Sequence, residues 1–554
     1  MSRRSRVLAV ALLASAAACS KGTPAPGLVV TPASASVVAG GVLAFAASAP
    51  GEPSPSVTWS VAEGDAGGGV DGSGRYFSPP FPGTYHVVAA RRSEPAQRAS
   101  AAVTVLPATC ALPSPQPSAL PGPQVIALGV HAVGEAVTFP VPAGTGSVTI
   151  VQQGVEQAAA RWVTWQGTPY LDTVVPLTVS VDGTVYYDDL VPPPDDPAAW
   201  GGPDGIGAIF VGVDSPWTGT LGVPNTTNML DHVAAHGGVP SGTWSVVVND
   251  VAEECRRAGP PGCVVGDGVT AYPPGRYDVT ALLKPGPVGA TGTLDLVFRV
   301  VTSALDATSA AADPSVARMR ETLATYLARM GVALGAVTFA DVPPEVKARF
   351  AAGVNADDTG PCGDLASLLR LAGPGAAMNL FLVDSYYSAD PGTVVGLDGT
   401  IPGPATVGGT VASGASAAVE DLWAGAATSC GTVPDPRGCG ADQVAYVVAH
   451  EMGHFLGLYH DSEWTGTLFD PLRDTPTCPC RACAPASLAS TCHAGAVGPT
   501  TYAMTTTDCT RRLTDPSSPC GGGENLMFWA LGARSEGTVT PEQAAIVRAS
   551  PLVR

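Results

Sequence analysis

The sequence predicts a chain of several domains, two all-β sandwiches followed by one α/β domain. Three observations carry this. At 554 residues the chain is long enough for three or four domains. Its 66 Gly and 53 Pro favour short strands and turns over long helices. Near residue 305 the pattern changes, from turn-punctuated apolar runs to helix-length periodicity. Hydrophobic residues, at 45%, suffice for a buried core. The net charge of −19 argues against nucleic acid as a partner, because phosphate contacts need a basic face. Lysine is confined to Lys21, Lys284 and Lys347.

Residues 1–19 read as an export signal. Arg3, Arg4 and Arg6 precede the short apolar run Val7 to Leu13, which is too short to span a bilayer. Ala16-Ala17-Ala18-Cys19 resembles a bacterial lipobox, with Ala16 where Leu is usual. That resemblance implies acylation of Cys19, membrane attachment through lipid alone and, with Ser20 following, an outer-membrane or cell-surface address. Simple cleavage and secretion is the alternative.

Cysteine use fits export. Setting Cys19 aside leaves an even number of the 13 cysteines, read as up to six disulfides. Cys255 with Cys263 and Cys430 with Cys439 are expected local pairs. Six more crowd between 478 and 520, where Cys478, Cys480 and Cys483 also have a zinc-binding alternative.

Residues 20–27 form a linker. Within 28–106, Leu28-Val30, Val42-Phe45, Val57-Val61, Tyr85-Ala89 and Ala101-Leu106 read as strands of a small sandwich. The Gly83–Val87 and Ala101–Val105 segments resemble late strands of bacterial Ig-like domains. A second Pro-rich linker covers 107–122. From 123 to 302 the reading is again β, with strands expected around Val148-Val151, Leu177-Val179, Ile209-Val213, Trp244-Val248 and Leu294-Val301. Gly242–Val248 resembles a late jelly-roll strand. His232 and His236 lie four apart, but no third ligand is near, so they read as surface or core histidines.

The α/β domain is expected over 305–554. Asp313-Pro314 is a helix start, with Asp as cap and Pro in the first turn. Val316, Met319, Leu323, Tyr326, Leu327 and Met330 follow at helical spacing. Ala336-Phe339 and Met378-Val383 read as strands, and a Gly-rich stretch runs from 391 to 415. A second helix is expected over Asp442 to Tyr459.

That helix carries the chemistry. His450 and His454 are i and i+4, so both imidazoles leave one face and can meet one zinc ion. Glu451 lies beside them, in reach of water rather than of the metal. Gly457 permits a sharp turn that returns His460 as a third ligand. Three protein ligands leave one position open, as a catalytic zinc requires.

The full His-Glu-x-x-His-x-x-Gly-x-x-His pattern from His450 to His460 resembles the metzincin clan of zinc peptidases. Glu524–Trp529 resembles the clan's Met-turn, with Met527 expected beneath the zinc site. Asp474-Thr475-Pro476 and the Cys-rich segment resemble the pappalysin-like branch. The resemblance implies a zinc metalloendopeptidase acting on proteins or peptides, with Glu451 as general base. It departs at Trp529, where relatives often carry a Tyr. Trp529 is therefore a candidate oxyanion donor or cleft wall. Calcium near the Asp-Thr-Pro segment is also implied, through Asp470 and Asp474, with solvated loop carboxylates as the alternative. Arg437-Gly438-Cys439-Gly440 has the outline of a cysteine switch, but the even cysteine count favours pairing. The competing function is a non-catalytic surface adhesin on the same scaffold. Intact Glu451 and all three histidines favour the enzyme.

Overall fold

The computed structural model describes residues 27–554 apart from 40, 80–82, 107–115, 118–122, 156–161, 166–167, 190–204, 213–214, 259–262, 266–274, 352, 358–359, 361, 389–393, 426–429, 437, 464–468, 476–521, 523 and 530–536. The signal segment with Cys19 and the Cys-rich run from 478 to 520 lie outside the described residues. So does most of the 107–122 linker.

Strand content dominates. In the first domain one sheet runs in the order Ser34–Val38, Glu94–Leu106, Gly83–Arg91, Val57–Val61. Val42–Ala44, Arg75–Phe77 and Gly69–Val70 make a second sheet. Alternation explains the packing, since successive strand side chains face opposite ways. Val87, Ala89, Ala101, Val103 and Tyr76 are fully buried between the layers.

The second domain is a sandwich of two four-stranded sheets. One runs Gln124–Ala132, Arg276–Pro285, Thr145–Gly154, Thr218–Val223, and the other Ala136–Val141, Gly242–Val247, Thr178–Val181, Thr184–Asp188. Ile150, Leu221, Trp244 and Val279 meet in its core. Between the two sheets the chain makes a helix, Thr227–His236, which the strand-only reading of 123–302 missed. Thr226 caps it by accepting from Met229 N, and Gly237 ends it at φ 77.

The third sheet runs Val332–Asp341, Gly292–Val300, Ala377–Val383, Ala415–Ala418, Gly396–Asp398. Its first four strands are parallel and Gly396–Asp398 is an antiparallel edge. Here one expectation is corrected. Gly292–Val300, assigned by sequence to the second domain, belongs to this sheet, inserted between two of its parallel strands. Its alternating Leu294, Leu296, Phe298 and Val300 are fully buried. Such alternation specifies a strand with one buried face but not which sheet it joins. The crossover helix Pro314–Arg329 returns the chain to the neighbouring parallel strand, capped by Asp313 as expected.

The helix expected over Asp442 to Tyr459 spans Gly440–Phe455. It stops early because Gly457 takes φ +111, where the chain leaves the helix. Both expected local disulfides are present, Cys255–Cys263 and Cys430–Cys439. No helix among the described residues is long and apolar enough to cross a membrane.

Candidate metal centre

The Gly440–Phe455 helix is buried almost all round: only Gln443 and His450 are partly exposed along it. Its start is locked by Asp442, which lies in the first turn where the helix dipole favours an acid. Asp442 accepts from Arg318 Nε at 2.7 Å and Nη2 at 2.8 Å, from Thr322 Oγ1 at 2.5 Å and from Asp435 N at 2.8 Å. Burial alone would raise this carboxyl's pKa. The hydrogen bonds, led by Arg318 and Thr322, outweigh it and hold the group below its ordinary value. Tyr446 meets Tyr326 of the crossover helix edge to face at 5.7 Å.

His450, His454 and His460 converge as the spacing predicts. Their Nε2 atoms stand 3.1 Å (His454 to His450), 3.2 Å (His454 to His460) and 3.2 Å (His450 to His460) apart. The opposite ring nitrogens are committed. His450 Nδ1 donates to Leu526 O at 2.7 Å and His454 Nδ1 to Leu458 O at 2.8 Å. His460 Nδ1 donates to Glu463 Oε1 at 2.9 Å. A carbonyl can only accept, so the Nδ1 atoms of His450 and His454 carry the protons. Their Nε2 lone pairs then face one another with no donor between them. A cation resolves this arrangement. Tetrahedral zinc with Zn–N of about 2.0–2.1 Å sets such nitrogens about 3.3–3.4 Å apart, so the donor set fits zinc.

Burial reinforces the metal-binding form. It pushes His450 down to about 3, with a further push from His460 and an opposing one from the Leu526 hydrogen bond. It likewise holds His454 well below the usual histidine range. Glu451 is 7% exposed. Burial raises its pKa, and neighbouring Asp398 adds to that. Asp398, on the antiparallel edge strand, is itself pushed up to about 7 by burial, tempered by His460. One Asp398 oxygen is buried without a partner. Gly396 of the same strand presses on Glu451: a Cβ there would stand 2.7 Å from Glu451 Cγ.

Met527 is fully buried against Gly453 of the motif helix. The turn is built by Asn525. Its side chain accepts from Met527 N at 2.8 Å, and its carbonyl accepts from Phe528 N at 3.2 Å. The Asn525 amide pairs with that of Gln543, at 2.9 and 3.2 Å. Gln543 is in turn the capping-box residue of the closing helix Pro541–Ala549. Tyr446 OH donates to the carbonyls of Asn525 and Leu526, each at 3.2 Å. Asn525, Gln543, Tyr446 and Glu463 were missed by sequence reasoning. Glu463, three residues after His460, had a legible signal in its spacing; the others join the site only through the fold.

Trp529 is half-buried and contacts Phe528, ring centroids 5.9 Å apart. The acids expected as calcium ligands differ in exposure. Asp474 is exposed, and its Oδ2 accepts from Glu542 N at 2.9 Å. Asp470 is 1% exposed rather than solvated; Asp474 and Glu542 act on it electrostatically, and it in turn acts on buried Asp461. Asp461 and Asp470 each have one buried oxygen without a partner. Burial, then repulsion from Asp470 for Asp461, pushes both well above the usual carboxylate range. Cys439 is tied to Cys430 and so is no switch thiolate. His232 and His236 lie with ring centroids 4.5 Å apart, tilted by 38°, on the sandwich helix, outside the one metal-competent group among the described residues.

No family model matches the sequence, and no curated protein matches it. Similar solved structures include the crystal structure of metalloproteinase-II from Bacteroides fragilis. That likeness has 13% identity, covers 36% of this chain and 59% of that one, and has a TM-score of 0.20. Another is the Bacteroides ovatus mixed-linkage glucan utilization locus SGBP-B in complex with mixed-linkage heptasaccharide. There the identity is 12%, the coverage 47% of this chain and 52% of that one, and the TM-score 0.11. The chain thus spans little more than half of either protein, and at these TM-scores neither likeness fixes a fold or places a residue.

Proposed function

We propose that this chain is a zinc-dependent metalloendopeptidase of the metzincin type, pappalysin-like branch, with Glu451 as general base. The observation that carries the reading is the convergence of three imidazole Nε2 atoms within 3.2 Å while every Nδ1 is engaged elsewhere. His450, His454 and His460 hold the zinc. Bound zinc supplies Lewis-acid polarisation of a peptide carbonyl and acidifies water.

The chain's own residues do the rest. Glu451 takes the proton of the attacking water as the new C–O bond forms. It returns that proton to the leaving nitrogen as the C–N bond breaks. The Glu451 carboxylate, disfavoured by burial and by neighbouring Asp398, would be favoured by a cation held on the three histidines. Gly396–Asp398 is the edge of the sheet and touches Glu451, so an extended substrate adding along it lies across the base. Trp529 serves as cleft wall.

The test uses the full chain, because a 305–554 fragment lacks the strand Gly292–Val300. Metal analysis is expected to find one zinc per chain, lost in His454→Ala. Casein cleavage is expected to fall by about 10²–10⁴-fold or more in Glu451→Gln with zinc retained. Full zinc in His454→Ala, or normal turnover in Glu451→Gln, overturns the assignment.

We further propose export with lipid attachment at Cys19; the disulfides Cys255–Cys263 and Cys430–Cys439 support an oxidising compartment. Cys19→Ala is expected to move the protein out of the membrane fraction. Unchanged partitioning refutes the anchor.

A further inference from the structure

His450 and His454 are fixed by a helix, but His460 sits in irregular chain beyond Gly457. A zinc site needs all three within a few tenths of an ångström, and a loop pays conformational entropy to stay in place. Local bonds give partial help: Asp461 N donates to Met527 O at 3.3 Å, and His460 to Glu463. Tyr459 OH adds a bond to Ile401 O at 3.5 Å, and further restraint comes from the sandwich domain.

On one flank of His460, Tyr459 meets Phe210 of the sandwich domain edge to face, centroids 5.1 Å apart at 85°. The approach is close enough that a Cβ on Gly212 would stand 3.0 Å from Tyr459 Cε1. Phe210 is itself held at both backbone atoms by Asn225. Its N–H donates to Asn225 Oδ1 at 3.2 Å, and its carbonyl accepts from Asn225 Nδ2 at 2.6 Å. Thr226 Oγ1 donates to Ala208 O at 2.7 Å. Asn225 is 3% exposed and Thr226 fully buried, so this corner is rigid.

On the other flank, the next two residues grip the 470–474 loop. Thr227 N donates to Pro471 O at 3.3 Å, and Thr227 Oγ1 accepts from Arg473 N at 2.9 Å. The Arg473 guanidinium bonds Asn228 and reaches Asp231 at 3.5 Å. Thr227 also bonds Glu542, which starts the closing helix with its N–H on Asp474. Four consecutive residues, 225–228, therefore hold both sides of the segment that presents His460.

We propose that the second β-domain is a clamp that positions the third zinc ligand, with Phe210 and Asn228 as its positioning residues. It is no passive spacer. Neither residue touches substrate or metal; each acts through Tyr459 or Arg473 on the His460 segment. The proposal rests on the reading of His450, His454 and His460 as a zinc centre.

The experiment measures zinc dissociation constants of the full chain at 25 °C by competition with a chromophoric chelator, alongside melting temperatures. The variants are Phe210→Ala, Phe210→Tyr, Asn228→Ala and, as a control for general sandwich damage, Val246→Ala in the sandwich core. Losing support around a metal ligand typically weakens binding about 10–100-fold. Phe210→Ala and Asn228→Ala are expected at the lower end of that range, with Phe210→Tyr restoring wild-type affinity. Val246→Ala is expected to melt lower with affinity unchanged. Should Phe210→Ala not fold, Phe210→Leu takes its place. Unchanged affinity in Phe210→Ala and Asn228→Ala, or equal weakening in Val246→Ala, overturns the clamp while leaving the zinc centre standing. A wild-type chain that binds no zinc overturns the zinc reading and the clamp with it.

Discussion

Met527 rests on Gly453: a Cβ at 453 would overlap the Met527 sulfur and stand 3.1 Å from its Cε. The turn at Met527 therefore reaches the motif helix between His450 and His454, at the one residue there without a side chain. In an ordinary helix interior Gly→Ala gains about 1 kcal/mol. Here Met527 is fully buried and has nowhere to go. Overpacking costs about 1–3 kcal/mol, so Gly453→Ala is expected to lower the melting temperature and weaken zinc. Met527→Leu, which conserves volume, is expected to cost less than about 1.5 kcal/mol. A Gly453→Ala protein that melts above wild type refutes the contact.

Gly396 makes a matching contact with Glu451. A Cβ there would stand 2.7 Å from Glu451 Cγ and 2.8 Å from its Cδ. Gly396→Ala must displace the carboxylate. A misplacement near 1 Å can cost about 10²-fold in rate. The expected result is a kcat loss of that order on a peptide substrate with zinc content intact. An unchanged kcat shows that Glu451 does not act from this position.

The Arg318–Asp442 pair anchors the motif helix to the crossover helix, its side chains 16% and 0% exposed. Arg318→Ala leaves a buried carboxylate unpaired and is expected to destabilise the protein by about 3–5 kcal/mol in urea unfolding. The pH sign follows from the depressed Asp442 pKa. Its contribution is fully present above the unfolded value of about 3.9. It is lost as pH falls through the lower folded value. The gap between wild type and Arg318→Ala is therefore expected to be constant near neutrality and to narrow below pH ~4. A gap that persists unchanged in strong acid argues against the ion pair.

Asp470 has the opposite sign. Burial raises its folded pKa, so in the absence of a cation its ionisation destabilises the fold, progressively as pH rises from the unfolded pKa. With a calcium-selective chelator present, Asp470→Asn is expected to melt above wild type at pH 7, and the difference to shrink toward pH ~4. Millimolar calcium is expected to raise the wild-type melting temperature and leave Asp470→Asn unmoved. An equal calcium response in both proteins places the cation elsewhere.

Much of the site was legible in one dimension. His450 and His454 are spaced by the helix period, and helix geometry is local, so the sequence alone puts them on one face with Glu451 beside them. Gly457 announces the turn to His460, and Asp313-Pro314 announces the crossover helix. The close cysteine pairs could be read because short loops leave few partners. What the tertiary structure decided is everything that joins distant segments. The alternation in Leu294, Leu296, Phe298 and Val300 predicts a strand equally well for either neighbouring domain, and only packing assigned it to the parallel sheet. Asp398 entered the neighbourhood of Glu451, Asn525 found Gln543, and Asp470 came to act on buried Asp461. None of these pairs has a sequence period, because side chains brought together by sheet order and loop path obey no local repeat. The same reason hid the role of Asn225 to Asn228. Their hold on the His460 segment exists only where the sandwich domain meets the α/β domain.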